Sequence, residues 1–192
     1  MDERIDFLDK NLKPVVTGAR VWDFCCGDGM NGKYALDNGA QYVYFSDVRE
    51  NTFFDKQFNH IPREKYSWRY INTDNIITPN WDIDIIIYHG QFYHARNHYQ
   101  ILDNLSQTNA KYICFESKGF DTKDFTVAWH FESQEKWTDT LEESDRTHPL
   151  VGAPSLGWCR YTFNYFGWQI CNQTLEWRED LGCHKWRFWL ER

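Results

Sequence analysis

Between Asp23 and Gly29 the chain reads DFCCGDG, a glycine turn set directly between an apolar run, RVWDF, and a helix-compatible stretch, MNGKYAL. Gly27 and Gly29 carry no side chain, so a ligand can come close to the backbone there. Asp23, at the strand end, could hydrogen-bond or pair with a cationic amino group. Eighteen residues after Gly29, in SDVRE, Asp47 ends a second strand-like run, where a carboxylate can accept both hydroxyls of a ribose. A glycine turn alone is an ordinary connection, whereas the turn together with Asp47 points to a nucleotide-like ligand. Two cofactor classes fit. The stretch from Gly27 to Gly32 has the GxGxxG spacing of dinucleotide sites, but Asp23 and Asp28 would set negative charge beside a pyrophosphate. A sulfonium cofactor with an amino acid tail tolerates those carboxylates better.

The second chemical segment is YHGQFYHARN, which follows the most apolar strand candidate, IDIIIYH. Open α/β sheets place ligands at the carboxyl ends of such strands. His94 could take a proton from an oxygen or nitrogen acceptor, and it could equally hydrogen-bond a strand end or cap a helix. His94 and His98 have i, i+4 spacing on a presumed helix with His89 nearby, a pattern that can bind metal, but no further ligands complete a set and no metal site is expected. Glu116 and Lys118 follow the fifth strand on the same side, and Trp129, His130 and Trp137 fall in the polar stretch beyond it.

The elements that must position these residues alternate. Ile5, Leu8 and Leu12 have helical spacing, so residues 1–19 read as a cover helix stopped by Pro14. ARVWDFCC reads as a buried strand, Met30 to Asn38 as a helix closed by Gly39, and QYVYFSD as a strand. Thr52 to Phe58 can be helical; YSWRYI, IDIIIYH and KYICFES are strands, with a helix carrying Ile101, Leu102 and Leu105 before the last of these. Strands alternating with helices imply crossovers and a mainly parallel α/β sheet. Ser155 is an N-cap candidate for a helix running to about Phe166. WQICNQTLEW and HKWRFWLER are joined by a link too short for a helix, so they should form an antiparallel hairpin. Residues 118–154 fit no regular element and read as a substrate lid or insertion.

Bulk properties narrow the field. The 192 residues, 42% hydrophobic, suit one domain spanning residues 1–192. No apolar run reaches the roughly 20 residues needed to cross a bilayer, and MDERIDFLDK has no signal-peptide core. Six cysteines, two of them adjacent and the rest scattered, suggest reduced thiols and a cytoplasmic location. A net charge of −7 makes general DNA binding unlike this chain, though a local RNA-binding edge stays open. Ten tryptophans exceed the usual core requirement, so some rings could line a pocket.

VWDFCCGDG resembles the first motif of class I S-adenosylmethionine-dependent methyltransferases, an acidic residue followed by GxGxG, and Asp47 falls where that family binds the ribose. The sequence departs at Cys25, where the family more often has glycine; a Cys-Cys-Gly version occurs in methyltransferases of quinone biosynthesis. Gly90, Tyr93 and His94 match the Gly-x-hydrophobic-Tyr-His pattern of a subgroup that includes the tRNA wobble-uridine carboxymethyltransferases, and GAPSLGWCRYTFNYFGW is similar to its ending. The likeness covers residues 20 to 175, mostly as fold-level pattern.

The resemblance implies a Rossmann-like seven-stranded methyltransferase sheet, mainly parallel with a C-terminal antiparallel hairpin and helices on both faces. It implies S-adenosyl-L-methionine as cofactor, held by Asp23, Cys25, Gly27, Asp28 and Gly29, by Asp47 and Val48, by Asp74 and Asn75 near the adenine, and by Tyr88 and His89. Asp74 reads equally well as a turn aspartate. Tyr93, His94 and Lys118 would meet the acceptor, with His94 as the catalytic group. The acceptor would be a small molecule or an RNA nucleotide, methylated on oxygen or nitrogen. Without an NPPY-type segment or a Pro-Cys nucleophile, methylation of the adenine amino group or of cytosine carbon 5 in DNA is not expected. With no appended domain, a large substrate would call for a partner protein. Other readings stay open: the same cofactor with non-methyl chemistry, a cofactor-binding scaffold subunit acting with a partner, and a nicotinamide-dependent oxidoreductase.

Overall fold

A strand covered on both faces should be apolar throughout, and β1 (Arg20–Phe24) is buried at every residue but its first. The computed structural model describes residues 3–48, 58, 60–73, 80–131, 150–179 and 182–192. After α1 (Glu3–Asn11) and β1 come α2 (Met30–Asp37), β2 (Tyr42–Asp47), β3 (Tyr66–Tyr70), β4 (Ile85–His89), α3 (His98–Ser106) and β5 (Tyr112–Gly119). Then follow β6 (Val127–Phe131), β7 (Leu150–Pro154), α4 (Leu156–Tyr165), β8 (Gln169–Arg178) and β9 (Cys183–Glu191).

Seven strands form one sheet in the order β3-β2-β1-β4-β5-β9-β8. The first five are mutually parallel, β9 runs antiparallel to β5, and β8 is antiparallel to β9. The order turns back on itself between β2 and β4, either side of β1, and at such a switch point open α/β sheets bind ligands outside the carboxyl ends of the strands. The expected α/β sheet with its terminal hairpin is therefore the observed fold.

Period-two alternation sends successive side chains to opposite faces. Val21, Val43, Phe45, Ile87 and Trp189 share one face with Phe7, Leu8 and Leu12 of the α1 region and Ala35 of α2. Trp22, Phe24, Ile86, Phe115 and Phe188 occupy the other, with Ile101 and Leu105 of α3 and Cys159 and Phe163 of α4. Each such large side chain contributes about 1.5–3 kcal/mol when buried. Trp22 keeps its indole N–H satisfied by donating to Ser46 Oγ at 2.9 Å across β1 and β2.

Three expectations change. The first strand ends at Phe24 and not at Cys26, because Cys25 turns to φ 58. Residues 118–154 are not wholly irregular: β5 runs on to Gly119, and β6 and β7 pair antiparallel as a separate two-stranded sheet. VAWHF of β6 is β-rich, but LVGAP of β7 carries Gly, Ala and Pro, which strands disfavour, and the partners are far apart in the chain, so no short turn advertises the pairing. His94 lies in a 3-10 turn, Phe92–His94, that ends before α3 begins at His98, so the two histidines do not share a helix face. The proposed helix from Thr52 to Phe58 falls outside the described residues, apart from Phe58. Ser155 does cap α4, accepting the Trp158 N–H at 3.0 Å. Among the described residues no helix is long and apolar enough to cross a membrane.

Candidate functional site

The loop after β1 owes its shape to residues in the left-handed region: Cys25 at φ 58, Gly27 at φ 55 and Gly29 at φ 76. Glycine adopts that region freely, and Cys25 is the one non-glycine residue in it among those described. Three carboxylates then occupy the loop's own N–H groups. Asp23 Oδ2 accepts from Gly32 N at 2.8 Å, Asp28 Oδ1 from Met30 N at 3.2 Å, and Asp47 Oδ2 from Gly27 N at 2.9 Å. Met30 and Gly32 lie in the first turn of α2, whose orphan N–H groups are what a helix offers a phosphate. Burial, with Asp28 and Asp47 nearby, pushes the Asp23 carboxyl well above the ordinary aspartate range. The loop is thus poor in unclaimed donors.

Asp47 ends β2 beside the loop and is buried, with the half-buried Val48 next to it. Asp28 is exposed at the turn's tip. Asp74 and Asn75 lie outside the described residues. Tyr88 turns its ring into the core, 4.7 Å from the Phe24 ring and 5.7 Å from that of Phe115, so contact with a ligand would fall to its main chain.

His89 lies on the other face, beside Cys114, with Nε2 3.2 Å from Sγ. Burial drives its pKa down to about 4, so the ring is neutral near pH 7. Its register partner on β5 is Glu116, which sequence reasoning placed on the cofactor side without giving it partners. Glu116 is 1% exposed and holds three cations: Arg4 through Nη2 at 2.6 Å, Arg187 through Nε at 2.8 Å and Lys185 through Nζ at 3.1 Å. Burial alone would raise this carboxyl; His89, Arg4 and Lys185 outweigh it and bring the pKa to about 2. Arg187 also reaches Glu176 and Glu3, each at 3.5 Å. Arg4, Lys185 and Arg187 escaped sequence reasoning, because an arginine on an amphipathic helix and two basic residues on a terminal strand carry no local sign of a shared acid.

The acceptor-side residues do come together. Lys118 Nζ lies 4.8 Å from the centre of the Tyr93 ring, and the Tyr93 and His94 rings are 4.0 Å apart. All three are half-buried. His98 is buried with Nε2 2.7 Å from Gly152 O, which fastens α3 to β7. Gly152 N in turn donates to Ala95 O at 3.1 Å. A side chain at Gly152 would strike Val127 and His98, so glycine is required for that approach. Trp129 is half exposed on β6, and Trp137 lies outside the described residues. A surface hollow lined by Arg20, Tyr42 and Tyr44 lies at the amino ends of β1 and β2, the opposite end of the sheet.

No protein-family model matches the sequence, and no curated protein matches it. Solved structures do match in fold. An S-adenosylmethionine-dependent methyltransferase from Mesorhizobium loti superposes with TM-score 0.68 at 14% identity, covering 92% of each chain. The 1,6-didemethyltoxoflavin-N1-methyltransferase of Burkholderia thailandensis, with 1,6-didemethyltoxoflavin and S-adenosylhomocysteine bound, gives 0.69 at 12% identity over 99% of this chain and 87% of its own. The cyclase SpnF gives 0.71 at 6% identity over 99% of this chain and 79% of its own. The chain therefore has the fold of class I S-adenosylmethionine-dependent methyltransferases.

Proposed function

We propose that this protein is an S-adenosyl-L-methionine-dependent methyltransferase acting on an oxygen or nitrogen of a small molecule or nucleotide-sized acceptor. The observation that carries the reading is the set of carboxylates on the loop amides. A pyrophosphate needs the N–H groups that Asp23, Asp28 and Asp47 already engage. A cofactor with a sulfonium and an ammonium group, and with ribose hydroxyls as donors, suits the same surface. Bound there, it would supply an electrophilic methyl group. The chain's part is then positioning, since in-line displacement is dominated by orientation. Asp47 would fix the ribose, and the backbone at Gly27 and Gly29 would admit the cofactor's body. His94, beside Tyr93 and Lys118 at the end of β4, would accept a proton from an acceptor that must lose one. The Gly90, Tyr93 and His94 pattern keeps a nucleotide acceptor within the proposal.

Calorimetry with S-adenosylhomocysteine and with NAD tests the reading. Binding of the former is expected, with Asp47→Ala weakening it by about tenfold to a hundredfold through the lost charged hydrogen bonds. Binding of NAD alone would overturn it. The SpnF match favours one second reading, the same cofactor site serving chemistry other than methyl transfer. Formation of S-adenosylhomocysteine during turnover separates the two.

A further inference from the structure

Four aromatic side chains of a size usually spent on a core stand open on one side of the molecule. Tyr99 on α3, Tyr161 and Tyr165 on α4 and Phe125 before β6 are each between 50% and 64% exposed. They are contiguous. The Phe125 ring lies 4.9 Å from that of Tyr161, and Tyr165 follows Tyr161 by one turn on the same helix face. Tyr165 lies 6.1 Å from Tyr99, and the half-buried Phe166 joins both, 5.0 Å from Tyr99 and 5.2 Å from Tyr165. An aromatic side chain spans about 200 Å², so this strip opens roughly 450 Å² to water. That is more than half of the about 800 Å² that each partner gives to a stable pair.

Charge decides what covers it. The chain carries a net −7, so two copies repel over most of their surfaces. Beside the strip the signs cancel: Arg96 and Asp103 flank Tyr99, Arg160 precedes Tyr161, and Asp121, Lys123 and Asp124 precede Phe125. A tyrosine hydroxyl both donates and accepts, so a tyrosine strip can satisfy its own likeness, as a two-fold contact demands. We propose that the strip from Phe125 through Tyr161 and Tyr165 to Tyr99 is the interface of a two-fold homodimer, with α4 packed against α4 of a second copy. The pairing stands independently of the cofactor and of the reaction.

Sedimentation equilibrium of the whole chain over about 1 to 100 μM tests it, with the dissociation constant as the readout. A mass of twice 23.2 kDa is expected within that range. Tyr165→Arg sets two guanidinium groups near the axis and should weaken the dimer at least about a hundredfold, as loss of a central anchor does. Where that variant alters the circular dichroism spectrum, Tyr161→Arg carries the same expectation. Leu175→Arg, on the outer strand β8 and 46% exposed, should leave the dimer as it is. A monomer throughout the range overturns the proposal, as does a dimer that both tyrosine variants leave intact. Loss of the dimer in Leu175→Arg instead would place the contact on the β8 edge and equally overturn it.

Discussion

Replacing Glu116 by glutamine keeps the size of the side chain and removes the one charge on which Arg4, Lys185 and Arg187 converge. The loss depends on how dry each cation is. The Arg187 side chain is 3% exposed and that of Lys185 12%, whereas Arg4 is 37% exposed and can turn to water. Breaking a buried pair from one side costs about 3–5 kcal/mol, because the partner stays buried and uncompensated. Glu176 and Glu3 lie near Arg187, so the lower end of that range applies. With a urea slope near 2.5 kcal/mol/M for a chain of this size, a loss of about 3 kcal/mol moves the unfolding midpoint down by about 1.2 M. Urea titration followed by tryptophan fluorescence measures it. Adding Arg187→Met to Glu116→Gln should recover part of the loss, since the stranded guanidinium is gone. A midpoint shift below about 0.3 M for Glu116→Gln would refute the view that this carboxylate holds α1, β5 and β9 together.

Acid should destabilise the protein in two stages. His89 is depressed from 6.5 to about 4 by burial, so between those values the unfolded chain binds a proton that the folded one refuses, and about 3 kcal/mol is lost as pH falls through that window. Glu116, lowered from 4.5 to about 2, adds its own loss below pH 4.5, and Glu116→Gln should abolish that lower stage in a pH series of thermal melts. Cys25→Gly should shift stability by less than about 1 kcal/mol, relieved strain and added chain entropy opposing each other, while Cys25→Val should cost about 2 kcal/mol in the same melts because a β-branched residue is costly at φ 58. Ser155→Ala should cost about 1–2 kcal/mol: its hydroxyl caps α4 at Trp158, accepts from Thr126 N and donates to Asp124 O, and circular dichroism melts would show the loss.

Where a signal is local, the sequence carries it. The runs RVWDF, IIIYH and YICFE announce buried strands, and the DFCCGDG turn with Asp47 announces a nucleotide-like site, because each depends on neighbours in the chain. Cys25 shows the limit. Its departure from glycine is plain in the sequence, but only the backbone reveals that it keeps the left-handed turn a glycine would have made. Tyr88 was legible as a strand end and not as a core residue, since its facing is fixed by Phe92 and Phe115 on other elements. The β6–β7 pair and the contact from His98 to Gly152 arise between segments whose separation hides them. The Glu116 hub is hidden most thoroughly, being built from three stretches with no shared pattern.

That hub also orders the protein's assembly during synthesis. Arg4 and Glu116 are 112 positions apart, and Arg187 follows Glu116 by another 71. A ribosome delivers α1 and β5 well before β9, and until then Glu116 stands on an edge strand with no guanidinium or ammonium from that side. The loop around Gly27 is made early from contiguous chain, whereas the ion pairs of Glu116 with β9 must wait. Such long-range closure slows folding. A nascent chain should therefore acquire its glycine loop before Glu116 gains its partners on β9.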